Sequence, residues 1–362
     1  MKLNNKKWEN KITQILNVKL PIIQAPMFGV TTAEMVAVAS ETGALGSLPL
    51  GDLPVNNCVK LIQKTRQLTS RPFAVNIFLN TLPERNDELK IKYNRTKLFL
   101  KDLVSKNNLE VKFPEYDEVV LTDYHDQVEA LIDENCKVVS FTFGIPDAQS
   151  IAKFKDSETV LIGTATSVEE AIMLEKSGID IICVQGYEAG GHRGSFGSEK
   201  ISEIGGFSLL SQIYDNVKVP LIYAGGIYDG KTLLASKLLG ASGFQIGSLL
   251  LGSNESALKE FEKEKLRSAT ADDIILTKSF SGRYARGLQN LFTLELDSSD
   301  YILPYPYQNR ITAPLRTAAR LQEKTDFVNI WTGHSRTNYS SKSTKDIILE
   351  LVKDVERFDV VL

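Results

Sequence analysis

The feature that most restricts what this chain can fold into is an alternation. Eight short apolar runs, rich in β-branched residues, are separated by segments of helical period. The runs are "LPIIQAPM" (20–27), "GALGSL" (43–48), "RPFAVNIFL" (71–79), "KVVSFTFG" (137–144), "TVLIGTA" (159–165), "DIICVQG" (180–186), "VPLIYAGG" (219–226) and "SGFQIGS" (242–248). Each is continuously apolar rather than alternating, as expected of a parallel strand covered on both faces. The intervening segments carry helix punctuation. In "SVEEAIMLEKSG" (167–178), Ser167 stands as N-cap, Glu170 completes a capping box and Gly178 is the stop. "DGKTLLASKLLG" (229–240) has Asp229 as N-cap and Gly240 as stop. Eight strand–helix units predict an α/β fold, a closed (β/α)8 TIM barrel. An open doubly wound sheet is the alternative if a weaker strand is misread.

Two segments stand outside the repeat. Residues 80–130 read as a charged, helical insertion after the third strand. Residues 253–362 would hold the last barrel helix and a helical C-terminal region packing on the barrel, which itself spans 14–252.

Composition excludes several classes. The net charge is −3 and the charges are mixed, so no basic stripe suggests nucleic acid. The basic start lacks the apolar core of a signal peptide, and "LLGASGFQIGSLLLG" (238–252) is too short and glycine-rich to span a bilayer. Cys58, Cys136 and Cys183 have neither metal nor redox spacing, and their odd number argues against a disulfide framework. The expectation is a soluble, cytoplasmic protein without a metal, acting on a small molecule. The oligomeric state is left open, a homo-oligomer included.

A barrel of this kind carries its chemistry at the C-terminal ends of the strands, with phosphate often held after strands seven and eight. Those loops read "AGGIYDG" and "QIGS". Gly225 and Gly226, with Gly247 and Ser248, can turn main-chain N–H groups and helix dipoles toward a phosphate. Either loop alone is more simply a tight turn; both together favour a phosphate-bearing ligand. "GGIYDGKT" (225–232) also fits the P-loop pattern, which makes a P-loop NTPase the non-redox alternative. Against it, the next strand ends without an acidic residue for magnesium, and Asp229 already serves as N-cap. Lys231 is then a solvent-facing helix residue.

Gln24 and Met27 end strand one, Asn76 lies in strand three and Gln185 ends strand six. Amides that converge on one barrel mouth suit a planar heterocycle with alternating N and C=O groups. Phosphate plus such a ring describes flavin mononucleotide (FMN) better than a sugar phosphate. In "EAGGHRGSFG" (188–197), His192 sits among glycines that leave it little local packing to serve. Their place after strand six aims its imidazole at the ligand. His125 and His334 are read as structural.

Taken together, "PIIQAPM", "VNIF", "FTFGIP", "IGTATSVEEA", "EAGGHRGSFG", "AGGIYDG", "QIGS" and "SFSGRYARGLQN" resemble the class I nitronate monooxygenases, formerly 2-nitropropane dioxygenases. The resemblance runs from about Gln14 to about Gly333. It implies an FMN-dependent barrel that oxidises alkyl nitronates such as propionate 3-nitronate with O2, detoxifying them to a carbonyl compound and nitrite. It further implies flavin contacts from Met27, Asn76, Gln185, Gly190, Gly225, Gln245, Gly247 and Ser248, with His192 as the catalytic residue. Tyr301 and Tyr305 would line the substrate pocket. Ser281, Arg283 and Arg286 could close over the flavin edge, though tying the tail to the barrel is the simpler role. Arg193 is read as structural. The chain departs from the family pattern at "PMFGV", which is bulkier than usual, at Ser211 and at His334. The nearest enzyme alternative is a flavin-dependent enoyl-acyl-carrier-protein reductase, which consumes NAD(P)H.

Overall fold

The computed structural model describes residues 8–197, 200–334 and 339–358. Its strands are β1 (Ile22–Gln24), β2 (Gly46–Gly51), β3 (Phe73–Phe78), β4 (Val138–Thr142), β5 (Val160–Ala165), β6 (Ile181–Gln185), β7 (Gly191–His192), β8 (Leu221–Ala224), β9 (Gly243–Ile246), β10 (Ile274–Thr277) and β11 (Ala285–Leu288). Eight of them form one parallel sheet in the order β1-β9-β8-β6-β5-β4-β3-β2. The ring closes through residue 45: Leu45 N–H donates to Ile22 O and Gln24 N–H to Leu45 O, both at 2.9 Å. This is the (β/α)8 barrel, with every expected strand in its place.

Two apolar layers account for the continuous runs. Residues facing inward, including Ile23, Ala74, Ile162, Cys183 and Ile222, form one cluster. Ile12 and Leu16 of the helix Lys11–Leu16 join it, so this N-terminal helix plugs the barrel floor. Outward residues such as Val75, Val139, Leu161, Ile182 and Phe244 meet the surrounding helices in a second, larger cluster. Burial on both faces removes the reason for alternation.

Local punctuation follows the sequence with one exception. Asp229 accepts Thr232 N–H at 2.8 Å and forms a capping box with it. Ser167 accepts Glu170 N–H at 3.2 Å, but the expected box does not form. The Glu170 carboxylate instead takes Thr166 N–H at 2.6 Å and Phe196 N–H at 2.9 Å, tying the helix to the loop that follows His192.

The two segments outside the repeat share a single core. Leu89, Tyr93 and Leu100 of the insertion helix Asp87–Lys106 pack with Phe280, Phe292, Tyr307 and Leu315 of the C-terminal region. Tyr116 stacks on Tyr307, Phe99 stacks on Tyr301, and Thr96 Oγ1 donates to Tyr301 O at 2.9 Å. The second helix in this stretch, Tyr124–Asp133, returns to the barrel ring. Residues 253–362, expected to be helical, also contain β10 and β11, which form an antiparallel hairpin. The ring's eighth helix is the last among the described residues, Thr344–Phe358, seated between Ala33–Glu41 and Gly230–Leu238.

Candidate active site

A cavity of about 420 Å³ opens at the C-terminal ends of the barrel strands. All eight barrel strands contribute to its wall, among them Ile23, Ser47, Asn76, Thr142, Thr164, Gln185, Ala224 and Gln245. The residues singled out from the sequence meet here: Met27, Asn76, Gln185, Gly190, His192, Gly225, Gln245, Gly247 and Ser248 all line it. Gln24 does not. It is buried in the wall, where its Oε1 accepts Ser47 N–H at 3.1 Å and its Nε2 donates to Thr31 Oγ1, so its amide stitches β1 to β2.

His192 occupies β7, which pairs antiparallel with β11 in the register Ala285↔His192. The hairpin from the C-terminal region therefore holds the histidine over the barrel mouth. Its Nε2 lies 2.8 Å from Ser281 Oγ. The rings of Phe143, Trp331 and Phe78 surround it at 5.7, 5.8 and 6.1 Å. This corrects the expectation of little local packing: the box is aromatic and comes from β3, the loop after β4, and the tail. Phe143 adopts φ +79°, a strained value for a non-glycine residue, and Arg283 sits 4.1 Å over its ring. Burial first, then the charges of Arg283 and Arg316, lower the His192 pKa to about 3, so the imidazole is neutral.

The glycines around it serve chain packing as well as the cavity. A Cβ at Gly190 would stand 2.5 Å from Gly333 N, and one at Gly194 would stand 2.8 Å from Thr164 Cγ2. The tail crosses over Gly190 and is pinned by Gly333 N–H donating to Ser248 Oγ at 2.9 Å.

Gln185 faces the cavity, but its amide is engaged within the protein. Nε2 donates to His192 O at 3.0 Å and Oε1 accepts Gly194 N–H at 2.8 Å. It holds the histidine loop. Arg193 is structural, as expected: it is buried and donates to Gln185 O, Gly186 O, Thr166 O and Ser202 O at 2.6 to 3.2 Å. Arg283 ties Ser195 O and Phe196 O, and Arg286 ties Tyr187 O, so both bind the tail to this loop. Tyr301 and Tyr305 are not part of the cavity wall; Tyr305 lies behind Phe78 and Phe143. His125 bridges Asp123 and Asp147, each at 2.6 Å, and clips the exit of the insertion to the loop after β4. His334 donates its main-chain N–H to Glu188 O, also away from the cavity.

The cavity offers polar groups that suit a phosphate-bearing flavin. The N–H groups of Gly225, Gly226, Gly247 and Ser248 make no main-chain hydrogen bond among the described residues, so four donors stand at the ends of β8 and β9. Gly225 at φ +126° and Gly226 at φ +66° hold a conformation that a side chain would strain. Asn76 uses its Nδ2 on Ser140 and Thr142, leaving Oδ1 for a ligand, and the Gln245 amide has no partner among the described residues. Met27 Sδ would lie 3.6 Å from a Cβ on Gly247, which closes the β1 and β9 loops together. By contrast, Lys231 of the P-loop pattern is 67% exposed, paired with Asp229 at 3.6 Å and absent from the cavity wall.

The roof of the cavity was not legible in the sequence. Asn309, Arg310, Ala313, Arg316, Thr317 and Arg320 project from one face of the helix Tyr307–Leu321. Their spacing of three and four residues is a helix-face signal, but a polar face reads as solvated unless its neighbours are known.

Comparison with known proteins agrees with this architecture. A probable nitronate monooxygenase from Staphylococcus haemolyticus is 37% identical over 353 residues, 96% of this chain and 98% of that protein. The crystal structure of nitroalkane oxidase from Streptomyces ansochromogenes superposes with a TM-score of 0.87 at 30% identity, covering 97% of this chain and 99% of that one. FabK from Thermotoga maritima shares the fold, with a TM-score of 0.75 at 24% identity over 98% of each chain. The nitronate monooxygenase family model matches residues 9–354. With its barrel, its cavity and nearly its whole length in agreement, the chain belongs to the nitronate monooxygenase family, a family of flavin-dependent oxidoreductases.

Proposed function

We propose that this protein binds FMN and oxidises alkyl nitronates of the propionate 3-nitronate type with O2, giving a carbonyl compound and nitrite and so removing a toxic metabolite. The observation that carries the reading is the meeting of His192 with four unpaired main-chain donors and two amides in one cavity. In this reading Gly225, Gly226, Gly247 and Ser248 hold the phosphate, Asn76 and Gln245 meet the ring edge, and Met27 and Gly190 flank it. Gln185 acts by holding the His192 loop. The flavin supplies electron transfer and reaction with oxygen; the protein supplies placement and charge.

The chain's own part is electrostatic. The Ser281 hydroxyl has one proton, and Arg283 O, 3.1 Å away, can only accept it. The Nε2–H of His192 then donates to Ser281, and Nδ1 keeps its lone pair. Buried and next to positive charge, Nδ1 is a weak base, poorly suited to strip a carbon acid unaided. The same positive field favours a substrate that arrives already ionised. A nitronate in the cavity offsets the charges of Arg283 and Arg316, raises the proton affinity of Nδ1 and lets His192 hold a proton against the nitronate oxygens. Nitronates are therefore preferred over neutral nitroalkanes.

The test is the visible spectrum of the purified protein before and after anaerobic addition of propionate 3-nitronate. A flavin spectrum bleached by the nitronate and unmoved by NADH is expected. Bleaching by NADH alone would identify an enoyl reductase instead, and a colourless protein that cannot be loaded with FMN would end the flavin reading.

A further inference from the structure

Three arginines of the roof helix line the cavity, and their counter-charges differ. Arg310 Nη2 lies 3.0 Å from Asp52 Oδ2, just beyond β2. Arg320 Nη2 lies 2.9 Å from Glu262 Oε1, in the helix Glu260–Ser268 beyond β9. The helix thus spans the mouth from one carboxylate to the other. Arg316, between them, has no carboxylate at ion-pair distance among the described residues. Its Nη2 donates to Asn309 O and Asn309 Oδ1, both at 2.8 Å, and its Nε donates to Thr312 O at 3.4 Å. Those acceptors are neutral: they fix the guanidinium without cancelling its charge, and Nη1 is left without a partner among the described residues. Burial, with Arg320 adding to it, lowers the Arg316 pKa to about 10, so the group is still a cation at neutral pH.

Arg316 is half-buried, and a cation in that position with no carboxylate at ion-pair distance, facing a ligand cavity, is explained by an anion that the ligand brings. The phosphate of the flavin already has the N–H groups at the ends of β8 and β9. The reacting end of the cavity is a different environment: His192 is boxed by Phe78, Phe143 and Trp331, and Arg283 is held against Phe143 by Ser195 O and Phe196 O. The cavity therefore has an aromatic wall around His192 and, in its roof, one arginine with no carboxylate at ion-pair distance among the described residues.

We propose that Arg316 is a specificity-determining residue: it binds a carboxylate that the substrate carries besides its nitronate group, so short nitronates with a terminal carboxylate are selected over those with uncharged tails. The proposal rests on the nitronate reading above. Arg316 offers Nη1 and part of a planar fork to a two-oxygen anion, a geometry that the carboxylate matches.

The test uses the flavin-loaded protein and two variants, Arg316→Met and Arg316→Lys. In Arg316→Met, the ratio of kcat/KM for propionate 3-nitronate to that for 1-propyl nitronate should fall by about 50-fold or more. Arg316→Lys, which keeps the charge, should regain part of it. Because the ratio is taken within one protein, partial loss of folding or of flavin cancels. Binding gives a second readout, independent of turnover. Succinate, whose second carboxylate stands in for the planar nitronate, should perturb the flavin spectrum at concentrations about tenfold below butyrate, and this preference should vanish in Arg316→Met. Wild-type protein that oxidises neither nitronate would defeat the functional reading, while the succinate preference would still decide Arg316. An unchanged substrate ratio with an unchanged succinate preference overturns the proposal. So does loss of FMN from Arg316→Met at undiminished stability, which would assign Arg316 to the phosphate.

Discussion

His192 Nε2 and Ser281 Oγ lie 2.8 Å apart, although 89 residues separate them in the chain. The bond joins the loop after β6 to the turn that precedes β11, and it leaves the imidazole one proton-accepting nitrogen. Ser281→Ala removes the bond while the aromatic box stays. The expected result is a fall in kcat on nitronates of roughly tenfold, the scale of one hydrogen bond, with KM and FMN content nearly constant. Parallel loss of FMN would show that Ser281 serves the fold and not the orientation of His192.

His192→Asn should retain FMN and lose about 10- to 100-fold in kcat/KM on alkyl nitronates, the scale of one charge-assisted hydrogen bond to the nitronate oxygens. It should also change the acid limb of stability. In the folded protein the pKa of His192 is lowered from 6.5 to about 3, so the unfolded chain binds more protons between those values. The stability due to the neutral imidazole is complete above pH 6.5 and declines by about 1.4 kcal/mol per unit as pH falls through the window toward 3. Thermal melts of wild type and variant across pH 4–7 measure it. The wild-type Tm should drop faster on acidification, and parallel curves would mean that His192 titrates as it does in solvent.

Gly190→Ala places a Cβ 2.5 Å from Gly333 N and 2.6 Å from Thr332 C, main-chain atoms that cannot swing aside. The crossing tail must lift, taking Trp331 off His192. A destabilisation of about 1–3 kcal/mol is expected, together with red-shifted tryptophan emission and weakened FMN retention. An unaltered emission spectrum would mean that the tail tolerates the methyl group.

Lys231→Ala tests the P-loop pattern directly. As an exposed helix residue its replacement should alter stability by no more than about 0.5 kcal/mol and leave nitronate turnover as it was. Magnesium-dependent ATP hydrolysis by the wild type, lost in the variant, would restore the NTPase reading.

The barrel was legible because its rules are local. A strand buried on both faces must be apolar throughout, as Ile181–Gln185 is, and a helix start needs a cap, as Asp229 provides. The cavity residues were legible for a related reason: the fold places chemistry at the C-terminal ends of the strands, and Gln185, Gly225 and Ser248 stand there, with Asn76 in the second half of β3. Where a polar side chain had two equally good local uses, the sequence could not choose between them. The Glu170 carboxylate reached Thr166 and Phe196 instead of closing a capping box, and Gln24 bonded across to Ser47 instead of facing the cavity.

By itself, then, the sequence determined the alternation of strands and helices, the caps, and the set of residues at the barrel mouth, since each depends on neighbours within a few positions. Only the tertiary structure decided what covers that mouth. The insertion and the tail share one apolar core, and β11 grips His192 across a long loop. Among the described residues, Arg316 meets no carboxylate at ion-pair distance while Arg310 and Arg320 find Asp52 and Glu262. The physical reason is range: burial and ion pairing depend on which distant segment arrives alongside, and an arginine's letter is the same whether its counter-charge is present or still to come.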